Sequence, residues 1–379
     1  MRVLTLNAGS SSLKAALYEV HDVGAEGEAP PAPLWAGDLT LGSDTIAEAM
    51  STLRGGRDPI VSDARPIDVV GHRIVHGGAE LVQATRFTPE VHDAIARVNE
   101  LAPMHNAPAL ALVDAVTREL GADVPQVAVF DTAFHATLAP SAYAYAGPFA
   151  WLGQGIRRYG FHGINHRYAS ARAAQMLGGL IRAPRIVTCH LGSGCSLAAV
   201  QDGRSVDTTM GFTPMDGVPM ATRSGAIDPG ILIHLLTRAS TSADSLDRML
   251  NHESGLAGLS GTSGDMREVL AALDTGDGRA QLAFDVYVHR IRQAVAAMAA
   301  SMNGMSALVF TAGVGEHAPR VRTAVCEGLT FLGIAMSATS NASCAGDAII
   351  SEPGSPVTVL VVRAQENWAI AQECVRVLC

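Results

Sequence analysis

A guanidinium left alone in a protein core is prohibitively costly, so an arginine in apolar sequence must be paired with something. Two arginines of this chain stand in such surroundings. Arg73 lies at the end of an apolar run, in Gly71-His72-Arg73-Ile74-Val75-His76-Gly77-Gly78, and Arg223 lies in Ala221-Thr222-Arg223-Ser224-Gly225, between apolar and glycine-rich stretches. An internal ion pair accounts for either one alone. The chemical alternative is a fork that grips a carboxylate or a phosphoryl group with two N–H donors. Asp131 follows directly on the apolar run 124–130. Ligands of open α/β sheets lie beyond the carboxyl ends of strands, which makes this a favoured place for a functional carboxylate; capping the next helix explains it equally well. His162 and His166 have a spacing that binds metals on a helix, but no acidic or cysteine partner accompanies them. A phosphate donor or a satisfied core histidine is the better reading of this pair.

Three glycine-rich turns follow strand-like runs, at 7–12, 190–196 and 311–316. Glycine lets backbone N–H groups approach an anion, which is how several classes of protein cradle phosphates. One such turn is weak evidence; three together point to a nucleotide. The pattern G-x-x-x-x-G-K-[ST] is absent, so the chain is not a P-loop protein.

The elements that must position these groups read as α/β. Residues 3–7 and 13–20 are strands joined by a tight turn, 24–33 is a surface loop, and 69–75 and 124–130 are buried strands. Helical patterning runs over 88–120, interrupted at Pro103 and Pro108. A second strand–turn–strand unit begins at Ile186. Shifted by 183, Thr5 meets Thr188, Gly9 meets Gly192, Ser10 meets Ser193, and Ala15 and Ala16 meet Ala198 and Ala199. The pairing reads as an internal duplication, two related domains with a cleft between them. Residues 263–303 are mostly helical, 306–310 and 357–362 are strands, a helix starts near Pro319, and 366–378 is a closing helix.

At 379 residues, 48 % hydrophobic and 17 % charged, the chain has the apolar material for two cores. A net charge of −9 without a basic run argues against nucleic-acid or membrane-surface partners. The six scattered cysteines form no C-x-x-C pair and read as reduced, apolar thiols. The opening Met-Arg-Val-Leu-Thr-Leu-Asn lacks the apolar core of a signal peptide, and no run is long enough to span a bilayer; a cytoplasmic protein is expected.

The motifs occur as ordered blocks: Asn-Ala-Gly-Ser-Ser-Ser-Leu-Lys (7–14), Gly-His-Arg-Ile-Val-His-Gly-Gly (71–78), Leu-Ala-Pro-Met-His-Asn (101–106) and Phe-Asp-Thr-Ala-Phe-His (130–135). There follow Arg-Arg-Tyr-Gly-Phe-His-Gly (157–163), Met-Gly-Phe-Thr-Pro (210–214), Thr-Arg-Ser-Gly (222–225), Asp-Met-Arg (265–267), Gly-Val-Gly-Glu (313–316) and Glu366. Over essentially the whole chain this series resembles the acetate kinase family, a branch of the acetate and sugar kinase, Hsp70 and actin superfamily. The resemblance implies two ribonuclease-H-like, actin-like ATPase domains, at 1–147 with 365–379 and at 148–364, and a homodimer formed through the latter. It implies transfer of the γ-phosphoryl group of ATP to acetate, giving acetyl phosphate, with Mg²⁺ (or Mn²⁺) as cofactor.

Roles follow from the same resemblance. Asn7 and Glu366 would hold the metal, and Lys14 would lie near the nucleotide. His190, Leu191, Gly192, Ser193, Gly194, Asp265, Met266, Arg267, Gly313, Val314, Gly315, Glu316 and His317 would line the ATP site. Arg73 would bind the substrate carboxylate, Asp131 would be the catalytic acidic residue, and His162 and Arg223 would stabilise the transition state. Val75, Met104, Phe161 and Pro214 would surround the methyl group. Acetate is ionised at neutral pH and needs no base, so Asp131 is expected to position Mg²⁺ or a neighbouring cation. Family relatives usually differ at five positions: Ser193 stands for Asn, Ala226 for Asp, Ala312 and His317 for Gly and Asn, and Asn367 for Glu. A kinase for propionate or another short acyl chain, and a weakened nucleotide-binding regulator, are the alternatives.

Overall fold

The computed structural model describes residues 1–9, 12–22, 24–40, 44–55, 60–178, 183–239 and 241–379, without the side chains of Pro103 and Met104. The chain divides into two compact units. Unit 1 comprises Met1–Ala136, Phe161–Tyr168 and Gln365–Cys379; unit 2 comprises Thr137–Gly160 and Ala169–Ala364.

Unit 1 is built on β1 (Arg2–Ala8), β2 (Ser12–Glu19), β3 (Trp35–Thr40), β4 (Val69–Ile74), β5 (Thr85–Arg86) and β6 (Gln126–Phe130), in the order β3-β2-β1-β4-β6-β5. The first three strands form an antiparallel meander, β1, β4 and β6 run parallel, and β5 returns antiparallel to β6. The parallel strands are almost continuously apolar, as burial on both faces requires. Leu4, Leu6, Leu17 and Val70 pack with Ile46, Leu53, Leu112 and Val116 in the larger core cluster; Ile74, Phe130, Ile95 and Leu110 form a second.

Unit 2 repeats the plan. Its strands are β7 (Arg185–Leu191), β8 (Cys195–Gln201), β9 (Arg204–Thr208), β10 (Ala307–Thr311), β11 (Ala348–Ile349) and β12 (Thr358–Val361), in the order β11-β12-β10-β7-β8-β9. Here too a three-stranded meander joins two parallel strands and an antiparallel edge. Strand for strand the two sheets match, and the bounds of β1 map onto β7 with the shift of 183 read from sequence. The second strand needs a correction. Thr5 pairs with Ala16, whereas Thr188 pairs with Ala198, not Ala199. The hairpin of unit 2 is one residue shorter, so the alanines correspond with a shift of 182. Each threonine hydroxyl donates to the carbonyl of its partner alanine, at 3.1 and 3.4 Å.

Two further expectations need revision. The helix Pro103–Leu120 starts at Pro103 but runs through Pro108; the proline costs one hydrogen bond near the helix start and does not end it. The glycine-rich stretch after β10 is a short helix, Ala312–His317, not a turn. The helices Met266–Asp274, Gly278–Ser301 and Pro319–Glu327 and the closing helix Glu366–Leu378 occupy the segments the sequence assigned to them. All six cysteines are free thiols. Among the described residues no helix is long and apolar enough to cross a membrane.

Candidate functional site

In unit 1 the carboxyl ends of the parallel strands β1, β4 and β6 bring Asn7, Arg73 and Asp131 together. Arg73 donates from Nε and Nη2 to Asp131 Oδ2, at 2.9 and 2.6 Å, and from Nη1 to Asn7 Oδ1 at 3.2 Å. The closing helix supplies Glu366, whose Oε2 accepts from Asn7 Nδ2 at 2.6 Å. That helix lies against β4 because residue 71 is glycine: a Cβ there would come within 2.5 Å of Cys374 Sγ and 2.6 Å of Ile370 Cγ2.

Asp131 is fully buried, and its Oδ1 has no hydrogen-bond partner among the described residues. Burial pushes the carboxyl up; the Arg73 guanidinium and the His162 N–H pull it back, while Glu366 adds to the upward push. Burial also disfavours the charge of Arg73, but Asp131 and Glu366 outweigh it and the guanidinium is held more firmly charged than usual. We take Arg73⁺ with Asp131⁻ as the state of the pair, since two charge-assisted donors meet one oxygen. Asn7 Oδ1, Asp131 Oδ1 and Glu366 are hard oxygen donors, and an oriented but unsaturated carboxylate oxygen suits a Mg²⁺ shell that keeps several waters.

His162 stands immediately before the helix Gly163–Met176 with φ of +56°. The start of this helix touches Asp131 through its backbone: Gly163 N–H donates to Asp131 O at 2.9 Å, and a Cβ on Gly163 would sit 2.2 Å from that oxygen. A left-handed histidine beside a buried carboxylate is strain of the kind that functional sites store. His166 accompanies it one turn on, the rings 6.5 Å apart, and His135 stacks edge-on to His166 at 5.7 Å.

The chain after Arg73 is fixed by side chains that the sequence reading passed over. Asn106 accepts from His76 N–H and donates to His76 O, at 3.1 and 2.9 Å, and Thr132 Oγ1 accepts from Gly77 N–H. Val75 and Phe161 are buried, and the Phe161 ring meets His76 edge-on at 5.5 Å. The side chain of Met104 lies outside the described residues. Lys14 is exposed on β2, opposite Asn7 and Asp38, and belongs to unit 1 rather than to the unit that holds the other proposed nucleotide residues.

Unit 2 gathers the remaining residues. β7 and β10 run side by side with Thr311 opposite His190. A Cβ on Gly192 would lie 3.7 Å from that of Ala312. Ser193 O accepts from Ala221 N–H at 3.0 Å, and Gly264 presses on the Ala221 carbonyl so closely that a Cβ would come within 2.3 Å. The segment 190–194 thus lies near Ala312 on one side and, through Ala221, near Gly264 on the other. Asp265 caps its helix by accepting from Arg267 N–H, and Arg267 turns back to pair with it in solvent. His317 is exposed, beside Glu316. Arg223 Nη1 donates to Pro214 O at 3.4 Å, which joins two of the predicted residues. The departures Ser193 and Ala226 have exposed side chains.

The model of the acetokinase family matches residues 36–372. The chain belongs to the acetokinase family. It is similar, at 50 % identity over 99 % of this chain and 98 % of the relative, to the acetate kinase of Trichormus variabilis. The crystal structure of Porphyromonas gingivalis acetate kinase superposes with a TM-score of 0.88 at 37 % identity, covering 100 % of both chains. A propionate kinase from Francisella tularensis gives 0.87 at 34 % identity over 98 % of each. For a member of this family, one residue inside the expected set, Glu316, and one outside it, Arg322, stand out. Glu316 Oε1 accepts from Ala364 N–H at 2.9 Å, two residues before Glu366, and Arg322 is buried beneath the helix Ala312–His317. The Glu316 bond spans a long stretch of sequence and the Arg322 bond reaches seven residues back; neither leaves a periodic signal.

Proposed function

We propose that this acetokinase-family member transfers the γ-phosphoryl group of ATP to acetate, reversibly, forming acetyl phosphate and ADP. The observation that carries the reading is the Asn7–Arg73–Asp131–Glu366 cluster: a guanidinium oriented by one buried carboxylate oxygen, with oxygen donors for a cation beside it.

An acetate oxygen attacks the γ-phosphorus, the bond to the bridging β–γ oxygen breaks, and the electron pair leaves with ADP. No proton moves, because acetate is already ionised. Catalysis therefore consists of bringing two anions together and stabilising charge on the equatorial phosphoryl oxygens. Arg73 receives the carboxylate, and Asp131 keeps its fork aimed. Arg223 and His162 stabilise the transferred group. Asn7, Glu366 and the open oxygen of Asp131 would hold Mg²⁺, or Mn²⁺ in its stead; the ion would supply positive charge against the triphosphate. Residues 190–194, 265–267 and 313–317, with Lys14, take the nucleotide. Val75, Met104, Phe161 and Pro214 take the methyl group, and valine at position 75 disfavours an added methylene by about 1–3 kcal/mol.

We further read the chain as a cytoplasmic enzyme with domains at 1–147 plus 365–379 and at 148–364. Its partner is a second copy. The helix Pro229–Arg238 supports this: none of its residues is buried, although it carries Ile231, Ile233 and Leu236. A charge at Ile233 is expected to dissociate the dimer in light-scattering chromatography.

The decisive assay traps acetyl phosphate as the hydroxamate with purified protein, ATP and Mg²⁺. Hydroxamate in step with ADP, faster with acetate than with propionate, is the expected result. Nucleotide binding without product would favour a regulator instead.

A further inference from the structure

We infer that Arg322 is a positioning residue for ATP: it holds the helix Ala312–His317 in its nucleotide-binding shape without touching the nucleotide. This rests on the reading that 313–317 lines the nucleotide site.

A helix of six residues is mostly ends. Its last four carbonyls have no N–H partner within the helix, so their partners must come from outside. Ala318 N–H takes Val314 O at 3.0 Å. Arg322 takes the next two, donating from Nη1 to Gly315 O and Glu316 O at 2.9 and 2.8 Å. The other edge of the guanidinium is fixed by one residue, Asn341, through Nε to Oδ1 at 2.7 Å and Nη2 to the backbone O at 2.9 Å. Asn341 is anchored in turn by donating to Pro319 O and Thr323 Oγ1, at 3.0 and 2.9 Å.

Arg322 is 1 % exposed, and no carboxylate lies within ion-pair distance of it among the described residues. Among the described residues its charge is balanced only by carbonyl dipoles at the C-terminal end of one short helix and by Asn341 of another. Burial accordingly lowers its pKa. A buried cation without a counter-ion is a poor way to gain stability; an apolar side chain would fill the space at less cost. What the guanidinium supplies is planar geometry, spanning two consecutive carbonyls and an asparagine at once, which an ammonium cannot do. The helix it fixes packs tightly on the end of β10, where a Cβ on Gly315 would lie 3.3 Å from Phe310 C. A small rotation of Gly315 or Glu316 therefore moves the exposed edge at Gly313.

The test is steady-state kinetics of the full chain with Arg322→Lys, varying ATP at saturating acetate and acetate at saturating ATP. The inference predicts a KM for ATP raised at least about fivefold and a KM for acetate within about twofold of wild type, with thermal unfolding still cooperative. An unchanged KM for ATP, or an equal rise in both constants, overturns it. Should Arg322→Lys fail to fold, Asn341→Ser leaves Nε without its acceptor and is read in the same way. The same split at about two- to threefold supports the inference, and no split overturns it. If wild-type protein forms no acetyl phosphate, the kinase reading itself fails. Calorimetric ADP binding then decides the Arg322 inference alone: equal affinity of wild type and variant overturns it.

Discussion

Both donors that Arg73 sends to Asp131 land on the same oxygen, Oδ2, while Oδ1 stays buried without a hydrogen-bond partner among the described residues. A general base would need a proton to accept, and an ionised acid brings none. In the proposed reaction Asp131 would therefore hold cations rather than accept a proton. Asp131→Asn is expected to cut kcat by about 10²–10³-fold, because an amide offers Arg73 a weaker acceptor and the metal a neutral one. The loss should be equal at mildly acidic and mildly alkaline pH. Near-full turnover at saturating Mg²⁺ would refute this role.

Val75 follows the last residue of β4, is 5 % exposed, and lies between Arg73 and the locked His76–Gly78 turn. Val75→Ala should raise the ratio of kcat/KM for propionate over acetate by about tenfold, the value of one methylene in an apolar pocket. The two substrates measured side by side with the variant check it; an unchanged ratio removes Val75 from the pocket.

Ala312 has φ of +65°, in the left-handed region where a Cβ is crowded. Ala312→Gly relieves that strain at the cost of a more flexible unfolded chain. A net gain of about 0.5–1 kcal/mol is expected from urea unfolding. A loss of stability would mean that the methyl contact near Gly192 outweighs the strain.

His72 and His76 are buried, and burial lowers each from 6.5 to about 4. The unfolded chain takes up protons first, so the stability these groups contribute is complete above pH 6.5 and is lost as pH falls toward 4. At pH 5 each group costs about 2 kcal/mol relative to neutral pH. Urea unfolding at pH 7 and pH 5 checks the slope, and His72→Gln should remove about half of it. A stability independent of pH over this interval would contradict both shifts.

The sequence made the sheets legible because buried parallel strands are short apolar runs, and it placed Asp131 because a carboxylate directly after such a run stands out. The helix Glu366–Leu378 was readable to its ends, since its apolar residues recur at helical spacing. The duplication was visible in β1 and β7, but the one-residue shorter hairpin of unit 2 was not, because alanines on either register look alike. The helix at 312–317 was misread as a turn: its glycines predict a loop, and its stability comes from Ala318 and Arg322 outside it. Asn106, Thr132 and Glu316 fix backbone far away in sequence, and Arg322 fixes carbonyls six and seven residues before it; no local pattern encodes either.

The most direct test of the central claim is a double-mutant cycle on kcat/KM for acetate, with Arg73→Ala, Arg223→Ala and the two combined. If both guanidinium groups stabilise one transition state, each single variant is strongly impaired and the double variant loses far less than the product of the two losses. Losses that simply multiply, or a near-normal rate in either single variant, would show that the arginines do not serve the same phosphoryl transfer.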